Sequence, residues 1–222
     1  MRIEIGDGIK AVAPQLMVLT IEADVVNCNT SDELWQELVD ASNIIKNKYQ
    51  LSEINSRPGV KATRNAYKAL GKEPNRYRPS CEALCRRIVK GMDLYRINAL
   101  VDIINIISFM SGYSIGGFDV DKIQGDVLRL GVGEEGEEFD AIGRGLLNIA
   151  CLPVYRDGVG GIGTPTSDVE RTKLTLDTRR LLMCINIYGE EMSVQDTIAL
   201  SENLLTKYCS ATNIKITQYT IE

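Results

Sequence analysis

The feature that most constrains the fold is a helical segment that is apolar on nearly every side. The segment from Asn98 to Ser111 reads NALVDIINIISFMS, and a helix with apolar residues around its circumference is buried. Polar residues at helical spacing form one stripe along it, namely Asn98, Asp102, Asn105 and Ser108. Since buried polar groups need partners, this stripe is either a satisfied structural network or the floor of a site.

Helix and strand patterns surround this segment and predict the α+β class, with mixed β-sheets and packed helices. Thr30 and Glu33 form a capping box that predicts the start of a helix. Further helices are expected over 58–70, 80–90 and 193–208. Strands are expected around Ile3, Ile5 and Ile9, and then over 16–26, 127–130, 146–155, 173–187 and 214–221.

Charge is distributed unevenly along the chain. Residues 1–56 carry 4 basic and 9 acidic residues, 57–96 carry 11 and 3, and 97–222 carry 10 and 18. A basic segment inside an acidic protein is either an RNA-binding surface or an ordinary solvated helix face. The candidates include five residues on one predicted helix face and four that follow: Arg57, Lys61, Arg64, Lys68, Lys72, Arg76, Arg78, Arg86 and Arg87.

The chain contains no histidine, which excludes Ser-His-Asp triads, Cys-His pairs and histidine-ligated metal sites. We therefore expect no ionisation near pH 6.5 in any reaction that the chain performs. The six cysteines lack a CxxC pair and are expected to be reduced thiols. The start MRIEIGDGIK has no apolar signal core and no run is long enough to span a bilayer, so we expect a cytoplasmic protein with no membrane partner.

Two short patterns allow both a functional and a structural interpretation. Gly158, Gly160 and Gly163 match the spacing of a dinucleotide-binding loop, but Thr164-Pro165-Thr166 follows where a helix would begin, so we predict a plain glycine-rich loop. Cys81 lies among arginines at a predicted helix start. Without an identifiable base, it is more consistent with a buried thiol than with a nucleophile.

A family resemblance appears between Arg78 and about Ile185. The strings RPSCEALCRRIVKG, INALVDIINIISFMSG and GGFDVDKIQGDVLRLGVGEEGEEFDAIG resemble the B3/B4 domain of the phenylalanyl-tRNA synthetase β subunit. Because a synthetase core does not fit in 222 residues, the chain is more similar to free-standing B3/B4 proteins. The resemblance implies one B3/B4-like domain over 1–222, divided into N-terminal strands and helix (1–56), a basic helical segment (57–96), a core region (97–185) and a C-terminal helix and strand (186–222).

The same resemblance implies that tRNA or aminoacyl-tRNA is the partner, and that no metal or organic cofactor is needed. Bacterial members hydrolyse mischarged tyrosyl-tRNA with a His-Ala-Phe-Asp sequence, where this chain has Gly116-Gly117-Phe118-Asp119. The glutamate that reads the tyrosine hydroxyl falls near Met183, which argues against tyrosine specificity.

Three classes of function are open at this point. The first is a trans-acting aminoacyl-tRNA deacylase, in which a positioned water and loop amides replace histidine. The others are a non-catalytic tRNA- or protein-binding module and a protein that binds free amino acids. Candidates for orienting the water are Asn98, Asp102 and Asp119. Candidates for the amino-acid pocket are Asn105, Phe118, Gly160, Gly161, Thr164, Ser167 and Asp168. We expect Asn98, Asp102 and Asn105 to share one cavity with loop 158–163.

Overall fold

Residues 1–221, which the computed structural model describes, form six α-helices and ten β-strands. The helices are α1 (Asp7–Val12), α2 (Asp32–Lys48), α3 (Pro58–Ala69), α4 (Ser80–Val89), α5 (Ala99–Ser111) and α6 (Val194–Cys209). The strands are β1 (Arg2–Ile5), β2 (Met17–Asp24), β3 (Ser114–Asp119), β4 (Val127–Val132), β5 (Asp140–Ala141), β6 (Gly145–Leu146), β7 (Pro153–Arg156), β8 (Gly161–Gly163), β9 (Arg180–Ile187) and β10 (Thr212–Thr220). The predicted α+β class is confirmed.

The strands form two four-stranded sheets and one short hairpin. The central sheet is antiparallel throughout and has the order β10-β2-β9-β3. The outer sheet has the order β1-β4-β7-β8, and β1 pairs with β4 in parallel. Strands β5 and β6 form the hairpin, and Ala141 of β5 also makes an isolated antiparallel bridge with Val169.

The central sheet separates two hydrophobic cores. On strand β9, Met183 and Ile185 face the helices, whereas Leu182 and Cys184 face the outer sheet. Side chains alternate between the faces of a strand, so a run that is apolar at every position must be covered on both sides. The result is three layers: helices, central sheet and outer sheet.

Helix α5 is the innermost helix and packs against α2, α4 and α6. Its predicted burial is confirmed, because all but three of its thirteen residues are buried. The Asn98 side chain caps its first turn by accepting the Val101 N–H at 3.1 Å. Gly112 ends it with a φ of 80°, a conformation that glycine adopts without a steric cost.

Several predicted boundaries are wrong. Ile9 belongs to helix α1 and not to a strand, since it turns inward onto the outer sheet's core. Helix α2 is capped by Ser31, whose hydroxyl accepts the Leu34 N–H, because the hydroxyl of Thr30 is bonded to Asp102 instead. Strand β3 was not expected, and the predicted strand over 146–155 is broken into β6 and β7.

Within residues 1–221, no helix combines the length and the apolar character that a membrane span requires. The six cysteines are unpaired thiols, as predicted.

Candidate functional site

A basic groove runs across the surface beside helix α4 and has a volume of about 540 Å³. Six of its lining residues are basic, and among the described residues none of the lining is acidic: Arg76, Arg78, Arg86, Arg87, Lys90 and Arg144. A concave surface of one charge sign concentrates ligands of the opposite sign. The groove therefore suits an anionic, phosphate-bearing ligand. Of the nine predicted RNA-binding residues, Arg76, Arg78, Arg86 and Arg87 lie here.

Buried Glu82 holds part of this charge in place. Its carboxylate lies 2.8 Å from the Arg64 guanidinium, 3.8 Å from that of Arg86 and 3.9 Å from that of Arg78. One carboxylate shared by three guanidinium groups leaves an excess of positive charge. This excess is presented toward the groove, because Arg78 is exposed and Arg86 is partly exposed.

An apolar cavity of about 390 Å³ adjoins the groove. Four residues line both spaces and form the neck between them: Ser80, Leu84, Ile97 and Asn105. Most of the remaining wall is aliphatic and comes from α5, β3 and the segments near 142 and 174: Val101, Ile104, Ile115, Ile142 and Leu174. The polar residues beyond the neck are Ser108, Asp168 and Lys173.

Asp168 places a carboxylate at this apolar cavity. Its Oδ2 accepts the Gly117 N–H at 3.2 Å, and within residues 1–221 no cation is paired with it. Burial raises the pKa of Asp168 to about 7, and the Gly117 hydrogen bond offsets only part of this effect. The phenol of Tyr155 and the thiol of Cys184 are near enough to sense the charge of this carboxylate.

Glycines make room for the Asp168 carboxylate. A Cβ at position 163 would lie 2.8 Å from Asp168 Oδ1 and 2.5 Å from the Phe118 ring. At position 116, a Cβ would lie 2.6 Å from that ring and 3.5 Å from the carboxylate. A side chain at Gly116, such as the histidine of the bacterial sequence, therefore requires the Phe118 ring to move, whereas the distance to Asp168 is an ordinary contact.

The predicted exposed basic face of α3 is wrong at three of its five positions. The guanidinium of Arg57 is buried, where it donates to the carbonyl oxygens of Phe109 and Met110 at the end of α5 and pairs with Glu191 at 2.7 Å. A cation at this position satisfies carbonyl groups that a helix C-terminus leaves unpaired. Arg57 is thus a structural residue.

Arg64 and Lys72 are buried as well. Arg64 donates to Glu82, Asn75 and the Pro74 carbonyl, and Lys72 donates to the carbonyl oxygens of two residues near 150. Helix α3 ends at Ala69, so Lys72 lies beyond it, and neighbouring segments pack on both cations. Lys61 and Lys68 are exposed and lie outside the groove lining.

Asn98 and Asp102 do not reach the cavity, so the predicted shared cavity is wrong for both. The Asn98 side chain caps α5 and accepts a hydrogen bond from Asn27 at 3.1 Å. Asp102 accepts from the Thr30 hydroxyl at 2.5 Å and from the Ile97 N–H. Burial raises the pKa of Asp102, and these hydrogen bonds counteract the effect. The polar stripe is therefore a structural network at 98 and 102 and a cavity wall at Asn105 and Ser108.

Asp119 and Phe118 are also outside the cavity lining. Asp119 accepts from the Thr178 hydroxyl at 2.9 Å and pairs with Lys122, which fixes the turn after β3. Phe118 is fully buried and packs edge-on against Tyr155 with ring centroids 6.4 Å apart. Neither side chain is in a position to meet a ligand in the cavity.

The glycine-rich loop is not an anion site, because its amides bind a carboxylate of the protein. Asp157 accepts the N–H groups of Val159 and Gly160 and forms an ion pair with Arg171. The predicted glycine-rich loop is confirmed only at 158–160, because Gly161–Gly163 forms strand β8. Its expected role with the cavity is wrong, since Gly160, Gly161, Thr164 and Ser167 are absent from the lining. Thr164 instead accepts the N–H groups of the next turn.

The buried thiol of Cys81 agrees with its structural interpretation. Burial raises the pKa of Cys81 to about 12, and the hydrogen bond with Ser114 at 3.4 Å offsets this only in part. The thiol therefore remains protonated at neutral pH and is a poor nucleophile.

Sequence reasoning identified Asn105 and Asp168 but missed most of the cavity. The aliphatic wall residues carry no chemical signature, since each is also an ordinary core residue. Arg144 was missed because the short hairpin β5–β6 leaves no periodic pattern. Lys90 carried a signal that could have found it, since it shares the outward face of α4 with Arg86 and Arg87.

Comparisons of the sequence with known proteins identify one family. The sequence profile of the B3/4 domain family matches residues 62–209. The phenylalanine–tRNA ligase β subunit of Bartonella henselae is 38% identical over 115 residues, which cover 50% of this chain and 14% of that subunit. The corresponding subunit of Bartonella quintana is 37% identical over 98 residues, which cover 43% of this chain and 12% of that subunit. The chain thus matches only a small part of the length of these relatives.

Among solved structures, an N-terminal fragment of the phenylalanyl-tRNA synthetase β subunit from Pyrococcus horikoshii aligns with 97% of this chain and 50% of its own length. The sequence identity is 12% and the TM-score is 0.44.

Proposed function

Because this chain belongs to the B3/4 domain family, we propose that it binds the aminoacylated 3′ end of tRNA and hydrolyses the ester of a mischarged amino acid. The observation that carries the proposal is the continuity of two spaces of different chemistry. The basic groove is suited to the phosphates of an RNA end, and the apolar cavity is suited to one amino-acid side chain. An aminoacyl-tRNA end has both parts, joined by an ester.

The ester would then lie at the neck between the groove and the cavity. Ser80 and Asn105 contribute the polar side chains of the neck. A hydroxyl and an amide in this position can hydrogen-bond the ester carbonyl or an attacking water. An aminoacyl ester is already activated, so positioning the water together with the neighbouring ribose hydroxyl supplies the remaining catalysis.

Tyr95 gives the groove a surface on which a nucleobase can stack. Its side chain is 68% exposed and lines the groove, and the Arg87 guanidinium lies 4.5 Å from its ring centroid. Exposed aromatic rings beside cations are the usual platforms for single-stranded nucleic acid. We assign the terminal adenosine to this ring.

The alternative is a tRNA- or protein-binding module without catalysis. The placement of Asp102 and Asp119 favours it, because both carboxylates are committed to structural hydrogen bonds and neither can activate water in the cavity. Under this alternative, charged tRNA is bound and protected at the same groove.

The two candidates are separated by a deacylation assay over a panel of tRNAs charged with cognate and non-cognate amino acids. The proposal predicts turnover for at least one apolar aminoacyl ester, and a loss of about 10²-fold when Asn105 is replaced by alanine. The exposed Asn65→Ala variant is the matched control and should retain full activity. Binding without turnover over the whole panel would establish the module and exclude the deacylase.

A further inference from the structure

We infer that Asp168 receives the free α-amino group of the aminoacyl ligand, and that the ligand's side chain is apolar throughout. This inference rests on the proposed function, since it names the amino-acid class that the same cavity accepts. It adds a recognition element that is independent of the RNA.

The assignment of the α-amino group to Asp168 rests on the unpaired state of this carboxylate. Asp168 is partly buried, and a carboxylate withdrawn from water is normally paired with a cation or bonded to several donors. Asp168 instead has one backbone N–H, from Gly117, and no cation within residues 1–221. Lys173 lines the same cavity, but its ammonium group pairs with Glu170. A ligand ammonium entering the cavity completes the ion pair that the protein leaves unmade.

The position of the carboxylate is fixed by the backbone around it. The residue belongs to a short bridge with Gly163, and a Cβ at that glycine would lie 2.8 Å from Oδ1. Gly117 holds Oδ2 from strand β3. A charge anchored between two strands is presented to a ligand with little loss of side-chain entropy on binding.

The inference that the ligand's side chain is apolar rests on the cavity wall. The aliphatic wall defined above surrounds the space, and the hydroxyl of Ser108 is already bonded to the Tyr113 carbonyl at 2.7 Å. Away from Asp168 and the neck, the polar groups of the lining are the Ser108 hydroxyl and the Lys173 ammonium, which are engaged by the Tyr113 carbonyl and by Glu170, and the rest of this wall is aliphatic. A polar side chain would be left unpaired there, at a cost that an aliphatic or unsubstituted aromatic side chain does not incur.

The experiment uses small probes that lack RNA: L-leucinamide, L-methioninamide and L-phenylalaninamide, each with its N-acetyl counterpart. Binding to the full chain is measured by calorimetry and by ¹⁵N NMR titration. The free amides should bind at least about 10-fold more tightly than the acetylated ones, because acetylation removes the charge that pairs with Asp168. L-Serinamide and L-lysinamide should bind at least about 10-fold more weakly than L-leucinamide.

Asp168→Asn tests the residue. The substitution should weaken binding of the free amides about 10-fold and leave binding of the acetylated amides unchanged. Acetylating the amide and substituting Asp168 together should therefore reduce affinity no more than either change alone. The exposed Asp177→Asn is the matched control and should bind as the wild type does. If Asp168→Asn does not fold, the comparison of free and acetylated probes on the wild-type chain still shows whether binding requires the charged amine.

Equal affinity for free and acetylated amides, or no binding of any amide at 10 mM, overturns the inference. Charged-tRNA deacylation and tRNA binding are measured on the same proteins. Deacylation without an amine requirement rejects the Asp168 anchor and keeps the proposed function. Amine-dependent binding of the amides by a chain that neither binds nor hydrolyses charged tRNA rejects the proposed function and keeps the anchor.

Discussion

At the scale of single residues, Asp168 shows that a chain without histidine can still have a group that titrates near neutral pH. The expectation of no ionisation near pH 6.5 considered histidine alone. It did not consider a carboxyl whose pKa burial raises to about 7. An ionisation of a catalytic rate in that range would therefore point to Asp168.

The raised pKa of Asp168 also predicts how stability depends on pH. Between about pH 4 and pH 7 the folded chain keeps a proton that the unfolded chain has lost, so the free energy of unfolding falls as pH rises through this window. Asp168→Asn removes this dependence. In urea unfolding, the free energy of unfolding of the variant relative to that of the wild type should therefore rise by about 1–3 kcal/mol between pH 5 and pH 8.

Asp157→Asn is the control for that measurement. Burial acts to raise the pKa of Asp157, but hydrogen bonds from Arg171 and from backbone N–H groups outweigh it, so the pKa is lowered. The stability that Asp157 contributes is present at both pH 5 and pH 8, and its loss should be equal at the two. A difference between wild type and Asp168→Asn that does not change with pH would contradict the raised pKa of Asp168.

At the scale of elements, the helices were largely predictable and the roles of their faces were not. Capping residues and apolar spacing indicate α2, α3, α4, α5 and α6 to within a few residues. The same spacing predicts a common helix face for Arg57, Arg64 and Lys72, but Arg57 and Lys72 lie just outside the ends of α3, and the spacing contains no information about what covers the three cations. Their partners are Glu191, Glu82 and loop carbonyls far along the chain, and only tertiary contacts could reveal them.

The segment before α4, the end of α4 and the hairpin β5–β6, and not α3, should therefore control the salt dependence of RNA binding. Replacing Arg76, Lys90 and Arg144 by glutamine removes three groove cations that form no ion pair within the described residues. The slope of log affinity against log salt should become shallower by about 2, at about 0.7 for each phosphate contact on a single strand.

The matched control is the pair Lys61→Gln and Lys68→Gln, which removes exposed cations of α3 that lie outside the groove. Fluorescence anisotropy with a tRNA at several salt concentrations measures the slopes. An unchanged slope in the groove variant, or an equal reduction in the control, would place the RNA elsewhere on the molecule.

At the scale of the whole molecule, the site arises where the layers meet. Helix α5, strand β3 of the central sheet and the segment that follows β8 each contribute part of the cavity wall. The class of fold follows from periodicity, and the family from the strings around 98–143. The cavity could not be predicted, because it depends on how closely aliphatic side chains from distant segments approach each other.

This arrangement predicts that charging a tRNA increases its affinity for the chain. Burying one apolar side chain contributes about 1.5–3 kcal/mol, which corresponds to about a 10- to 100-fold preference for aminoacylated over uncharged tRNA. Gly117→Val should reduce this preference to within about threefold, because a Cβ there lies 2.5 Å from Ile104 and 3.0 Å from Leu174 and the valine takes up cavity volume. The salt slope should not change, since the groove is untouched.

Gly160→Val is the matched control, because a Cβ at this loop position meets no atom within 4 Å and the loop lies outside the cavity lining. Competition binding with amide-linked, non-hydrolysable leucyl-tRNA measures the preference without interference from turnover. A Gly117→Val protein that is folded and still prefers the charged tRNA as strongly as the wild type would show that the amino acid binds outside this cavity. A preference lost equally in both variants would trace the effect to general destabilisation and not to the filled space.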